Sequence, residues 1–317
     1  SCGPAPVGRL EMSAPKKIMH VHFWGDVRLQ TGSVDKVIAA FAQMNEPDLA
    51  MAVACLGSGQ SEVFRSATCH FFSEDRLKNR IANKLLGLKL FTFSELVTIV
   101  DQERPDLLHV HNRHALVPGL LARLRYRPVT LCHYHRRFNE FVVPVEVDGL
   151  IAVSQAVRDA LILAVQPSIP VEVLRNSVPT GLSICEEHRA NSRPRLVYGG
   201  GRQRIKGFFE IESALTNGLA DEFEVVLCGP GLDGYQPSFP ARVAGMLPSE
   251  GFLAELRAAD VVAMPSHHEG FSILALEALG LGKLLVATQG GGLGEILDAK
   301  NALIHPVGDA QALAACL

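Results

Sequence analysis

Short apolar runs alternate with stretches of helical period along this chain, and the alternation starts twice. The first series predicts strands near 17–23, 49–56, 68–72, 106–111, 128–132, 148–153 and 171–174. Helices are predicted between them near 33–45, 75–86, 94–103, 113–125 and 154–164. Residues 176–194 hold Asn, Ser, Pro, Thr, Gly and charges with no period, as a linker does. The second series opens with Arg195-Leu196-Val197-Tyr198 and continues with strands near 223–228, 260–264, 284–287 and 302–304. Its helices start from about Lys206 and lie near 249–258, 272–280 and 308–316. Near-continuous apolar strands separated by amphipathic helices are what parallel sheets covered on both faces require. The expected fold is therefore α/β, with two Rossmann-like domains facing a central cleft, spanning 16–180 and 181–317. Residues 1–15, broken by Gly and Pro, are expected to be a disordered leader.

Composition narrows the class. With 317 residues, 48% apolar and 20% charged, the chain can bury two ordinary cores and is not disordered in bulk. A net charge of −3 gives no overall basic signature for nucleic acid. Residues 1–160 hold 19 basic and 16 acidic side chains and residues 161–317 hold 11 and 17, a balance of +3 against −6. A mildly basic first half suits an acidic acceptor or an anionic membrane surface, and ordinary charge scatter is the alternative. The seven cysteines are scattered without a CxxC pair, which points to a reducing compartment. No apolar run approaches the roughly 18 residues that span a bilayer, and the expected location is cytoplasmic.

The segment Ser266-His267-His268-Glu269-Gly270-Phe271-Ser272-Ile273-Leu274-Ala275-Leu276-Glu277 concentrates the chemistry. An apolar strand, Asp260 to Pro265, turns through glycine into a helix for which Ser272 is a fitting N-cap. Glu269 then falls in the loop at the carboxyl end of a parallel strand, where open α/β sheets bind ligands. Glu277 falls inside the helix. Helix N-termini attract phosphate and carboxylates accept hydrogen bonds from sugar hydroxyls, a pairing that suits a sugar nucleotide. Upstream, Gly199-Gly200-Gly201-Arg202-Gln203-Arg204-Ile205-Lys206-Gly207 follows a strand with a flexible turn and several cations, which can neutralise a departing diphosphate.

Together these segments resemble the Glu-x7-Glu signature and the Gly-Arg-x-x-x-Lys-Gly element of retaining glycosyltransferases with the two-Rossmann (GT-B) architecture, family 4 in particular. The resemblance implies that Glu269 contacts the donor sugar, Glu277 the ribose, and Arg202 with Lys206 the diphosphate. It extends donor contacts to Gly201, Gly229, Leu247, Gly270, Phe271 and Ser272. Gly290-Gly291-Gly292-Leu293-Gly294-Glu295 resembles a further family turn, and Gly32-Ser33 replaces the family's Gly-Gly loop near the donor phosphates. His133, closing the strand Val129-Thr130-Leu131-Cys132-His133, resembles a family histidine that touches the transferred sugar, with His135 as the alternative register. Retention of configuration is implied by the resemblance alone. The chain has no Asp-x-Asp pair, so donor binding is expected to need no metal and no other cofactor. Family members continue for several helices beyond the equivalent of Leu317, so the second domain is expected to lack them.

The expected reaction moves a sugar from a nucleoside diphosphate to a hydroxyl of a saccharide or lipid-linked acceptor, in polysaccharide, lipopolysaccharide or glycolipid assembly. A non-hydrolysing sugar-nucleotide 2-epimerase and a non-catalytic sugar-nucleotide-binding protein are the alternatives. The basic amphipathic stretch 76–90 suits peripheral contact with an anionic bilayer, and equally a helix packed on the core. His20/His22, His109/His111 and His133/His135 are i, i+2 pairs that share strand faces, but no carboxylate or cysteine completes a metal-ligand spacing, and no metal site is expected.

Overall fold

A computed structural model describes residues 17–23, 33–42, 44, 46, 48–57, 67–75, 93–135, 143–144, 146–178, 182, 193–216 and 218–317. The first sheet holds seven parallel strands. They are β1 (Lys17–His22), β2 (Ala50–Leu56), β3 (Thr68–Phe72), β4 (Leu107–His111), β5 (Val129–Tyr134), β6 (Gly149–Ala152) and β7 (Val171–Val173), in the spatial order β3-β2-β1-β4-β5-β6-β7. The second holds six: β8 (Arg195–Tyr198), β9 (Glu224–Cys228), β10 (Arg242–Gly245), β11 (Val261–Met264), β12 (Leu284–Ala287) and β13 (Leu303–Ile304). Their order is β10-β9-β8-β11-β12-β13. Each sheet therefore reverses direction of growth beside its first strand, between β1 and β4 and between β8 and β11. Doubly wound sheets bind ligands at that switch point.

Every strand read from the sequence is present within a few residues, and β10 is an addition. That edge strand is only Arg-Val-Ala-Gly, none of it fully buried, so it carries no apolar run to find. The helix expected over 113–125 is much shorter. A 3-10 turn at His114–Leu116 leads into Val117–Leu121, with Pro118 in its first turn and Gly119 inside it. The 76–90 stretch and Gly32 lie outside the described residues.

Side chains on the second sheet are apolar on both faces. Leu196, Tyr198, Val225, Leu227, Val261, Ala263 and Val286 pack with Phe208, Ile211 and Leu215, while Val197, Val226, Cys228, Val262, Met264 and Leu285 pack with Leu256, Ala275 and Ala278. In the first sheet Met19, Val21, Leu108, Val110, Cys132 and Tyr134 make one such face. The opposite face of the same strands carries histidines, covered in part by helix Ser33–Ala42. The described cysteines are all free, and Cys55, Cys132 and Cys228 are buried. Among the described residues no helix is long and apolar enough to cross a membrane.

Candidate active site

The loops that leave β8 and β11 at the second switch point meet around one cavity of about 660 Å³. Its lining includes Arg202, Lys206, Gly229, Leu247, Glu269, Phe271, Ser272 and Glu277, all singled out from the sequence. Gly201 and Gly270 shape the loops behind it. The turn after β8 can exist only with glycine. Gly201 has φ 63° and Gly229, after β9, has φ 116°, and a Cβ on Gly229 would lie 2.5 Å from the Gly201 nitrogen. Backbone bonds from Gly201 N to Cys228 O (2.9 Å) and Arg202 N to Pro230 O (2.8 Å) stitch the two turns together. This close stitching fixes where Arg202 and Lys206 emerge.

Glu269 is held from three directions. Lys206 Nζ donates to both of its carboxylate oxygens at 2.7 Å, and Ser266 Oγ donates to one at 2.9 Å. Its own backbone pairs with the glycine turn after β12, Glu269 N to Gly290 O (3.2 Å) and Gly292 N to Glu269 O (2.8 Å). Ser272 caps helix Ile273–Gly280 as expected, its hydroxyl accepting from Ala275 N. Glu277 projects from that helix and is 4% exposed. One of its oxygens accepts from Lys36 Nζ at 2.5 Å, and the other, Oε2, is buried with no hydrogen-bond partner among the described residues. A buried carboxylate oxygen without a donor costs free energy, so this is a place prepared for a hydroxyl. Arg202 lies over the Tyr235 ring, 5.2 Å from its centroid, and Tyr235 in turn donates to Glu212.

Lys36 was not singled out from the sequence. It belongs to helix Ser33–Ala42 of the first sheet's layer, 241 positions from Glu277, and only the meeting of the two layers brings it into the cavity. Glu295, in the turn after β12, makes a second bridge between layers. It accepts from Ala156 N (2.9 Å) and from Arg175 (3.0 and 3.2 Å). Asn176 adds a third, donating to Phe271 O at 3.1 Å.

His133 and His135 do not line this cavity. His133 is 1% exposed within the histidine face of the first sheet, where β1, β4 and β5 lie side by side. Register places His22 beside His111 and His111 beside His133. Ring nitrogens approach at 3.1 Å between His20 and His111, 3.2 Å between His109 and His133, and 2.8 Å between His111 and His135. Burial lowers these rings' affinity for protons, taking His20 to about 4 and His135 to about 3, and it holds His109, His111 and His133 well below the ordinary range. His22 instead bonds Asp35 at 2.9 Å. The three His-x-His pairs were the sequence signal for this cluster. Strand order, which the sequence did not supply, is what assembles it.

Two family models match the chain: Glycosyltransferase Family 4 over residues 50–182 and Glycosyl transferases group 1 over residues 193–317. A D-inositol 3-phosphate glycosyltransferase of Corynebacterium jeikeium (strain K411) is 47% identical over 121 residues, covering 32% of this chain and 29% of that protein. Glycogen synthase of Mycobacterium tuberculosis (strain ATCC 25618 / H37Rv) is 28% identical over 187 residues, 54% of this chain and 45% of that protein. The chain thus spans less than half the length of either curated relative. Among solved structures, Anabaena Alr3699/HepE in complex with UDP and glucose superimposes with a TM-score of 0.69 at 19% identity, over 95% of this chain and 88% of that one.

Proposed function

The chain belongs to the family 4, group 1 glycosyltransferases of GT-B fold, and from that premise we propose that it transfers a sugar from a nucleoside diphosphate to a hydroxyl acceptor, with retention and without a metal on the diphosphate. The observation that carries this reading is Glu277, buried beside the donor cavity with one oxygen unpartnered among the described residues. Ribose hydroxyls supply the donors that this oxygen lacks. Glu269 receives the sugar hydroxyls, and Lys206 and Arg202 face the diphosphate. In the reaction the bond from the anomeric carbon to the phosphate oxygen breaks and a bond to the acceptor oxygen forms on the same face. The acceptor proton passes to the leaving phosphate, so no side-chain base is needed. The two cations stabilise the charge that grows on that phosphate. Bound nucleotide-sugar in a structural neighbour supports this class of donor. The acceptor is a saccharide or lipid-linked hydroxyl, in cell-surface polysaccharide or glycolipid assembly.

The test is a thermal-shift panel of UDP, GDP, ADP, dTDP and CMP in EDTA, with Glu277→Ala beside the parent. At 100 times Kd a ligand stabilises the fold by about 2.7 kcal/mol. A shift with one diphosphate that shrinks in the variant supports the transferase and identifies the base. No shift with any of them sinks it.

A further inference from the structure

The histidine face of the first sheet contains an arrangement that the transfer reaction does not use. Ligand-capable nitrogens of His111, His133 and His135 all lie within 4.8 Å of one another. Nε2 of His133 and Nδ1 of His135 are buried without a hydrogen-bond partner among the described residues. A neutral imidazole has one N–H and one lone pair, so a run of rings bonded only to each other always leaves an end unsatisfied. A metal ion removes that deficit by accepting lone pairs from several rings at once, at about 2.0–2.1 Å for zinc.

We propose that His111, His133 and His135 bind one divalent transition-metal ion of the zinc class, with a further coordination position left for water or an anion. An all-imidazole donor set suits Zn²⁺, Co²⁺ or Ni²⁺ and excludes the hard cations Mg²⁺ and Ca²⁺, which take oxygen ligands. Three protein ligands leave zinc open at its fourth position. Burial keeps the rings in the uncharged form that coordinates. A second group, His20, His109 and His111, is equally compact. It is closed in, however: Phe41 stacks on His20 at 5.1 Å and lies 5.6 Å from His109, and all three rings are buried. His135 is only half-buried and gives an ion a way in. None of the three proposed ligands lines the donor cavity, so the site is separate from the diphosphate and leaves a metal-free transfer step as it stands.

The experiment uses the full chain without a histidine tag, stripped with EDTA and titrated with Co²⁺ alone and then Zn²⁺. The expected result is one ion retained per chain through gel filtration, with visible ligand-field absorption from Co²⁺ that Zn²⁺ displaces. His135→Asn and His133→Asn should each abolish the absorption and weaken Co²⁺ binding by more than about 100-fold, while His20→Asn, which removes only the outer partner of His111 at 3.1 Å, weakens it by about tenfold and keeps the absorption. Absence of bound ion in the parent overturns the proposal. So does loss of binding in His20→Asn with retention in His135→Asn, which would move the ion to the other triad. Should His133→Asn fail to melt cooperatively, His135→Asn at its half-buried position decides the matter alone.

Discussion

The second sheet carries Leu196, Tyr198 and Val261 on one face and Val197, Val226 and Val262 on the other, whereas the first carries Met19, Val21 and Leu108 on one face and His20, His109, His111 and His133 on the other. The second sheet repeats the strand order of the first, which has β7 as one further edge strand. The second sheet places its cavity-lining polar groups beyond the strand ends, in the loops and in helix Ile273–Gly280, over strands whose buried side chains are mostly apolar. The first builds polar groups into the strands themselves, where each ring must find a partner or leave a buried atom unsatisfied. The donor side is therefore expected to fail through its loops, and the other side through its interior.

The sharpest test of that contrast lies in the donor loops. Glu269→Gln should lower turnover of a sugar-nucleotide donor by about 100- to 1000-fold, the scale of losing one oriented transition-state contact. Donor hydrolysis and transfer assays read it, and a loss under fivefold would remove Glu269 from the role. Gly229→Ala should destabilise the fold by about 3 kcal/mol, because a side chain is forced into φ 116° against the Gly201 backbone. A urea midpoint that stays put would break the claim that these two turns are locked together.

Acid should act on the other side first. Burial lowers His114 to about 4. The unfolded chain takes up this proton below about 6.5 and the folded chain does not, so stability is present above 6.5 and is lost as pH falls toward 4. The loss is about 2 kcal/mol between pH 7 and 5 for this ring alone. The single tryptophan, Trp24, follows β1 in sequence and is the natural probe, measured in EDTA. Stability that rises on acidification over that range would contradict the assignment. The smallest effect concerns the join between layers. Lys36→Met leaves Glu277 unpaired in the empty protein, so UDP should raise Tm more in this variant than in the parent. An equal or smaller rise would mean that the ribose does not supply donors to Glu277.

How much of this was legible beforehand follows from sequence distance. Glu269, Ser272 and Glu277 sit on one strand-turn-helix, so their relation could be read from a dozen consecutive residues. Arg202 and Lys206 were readable for the same reason, as a glycine turn that opens a helix. Lys36 was not, since nothing local in Ser33–Ala42 marks one lysine as crossing to another layer. The histidines were visible as three spaced pairs, but their meeting depends on β1, β4 and β5 being neighbours. The resemblance points His133 at the sugar, whereas the structure holds it in the sheet interior and not in the lining of the cavity. The strand β10 escaped because an exposed edge needs no apolar run.

Each of the two cavity carboxylates pairs with a lysine, Lys206 with Glu269 and Lys36 with Glu277. On the proposed function, these pairs would act as a two-part lock on what can enter. A bare phosphate must pull a lysine from a glutamate that then has nothing to hold. A neutral sugar that bonds Glu269 must take it from Lys206, which is left facing no anion. A molecule carrying hydroxyls and phosphates together gives Lys206 a phosphate as it takes Glu269, and each group keeps a partner. The resting site can thus store its cations without becoming a general trap for cellular anions, and its discrimination comes from the swap itself as much as from shape.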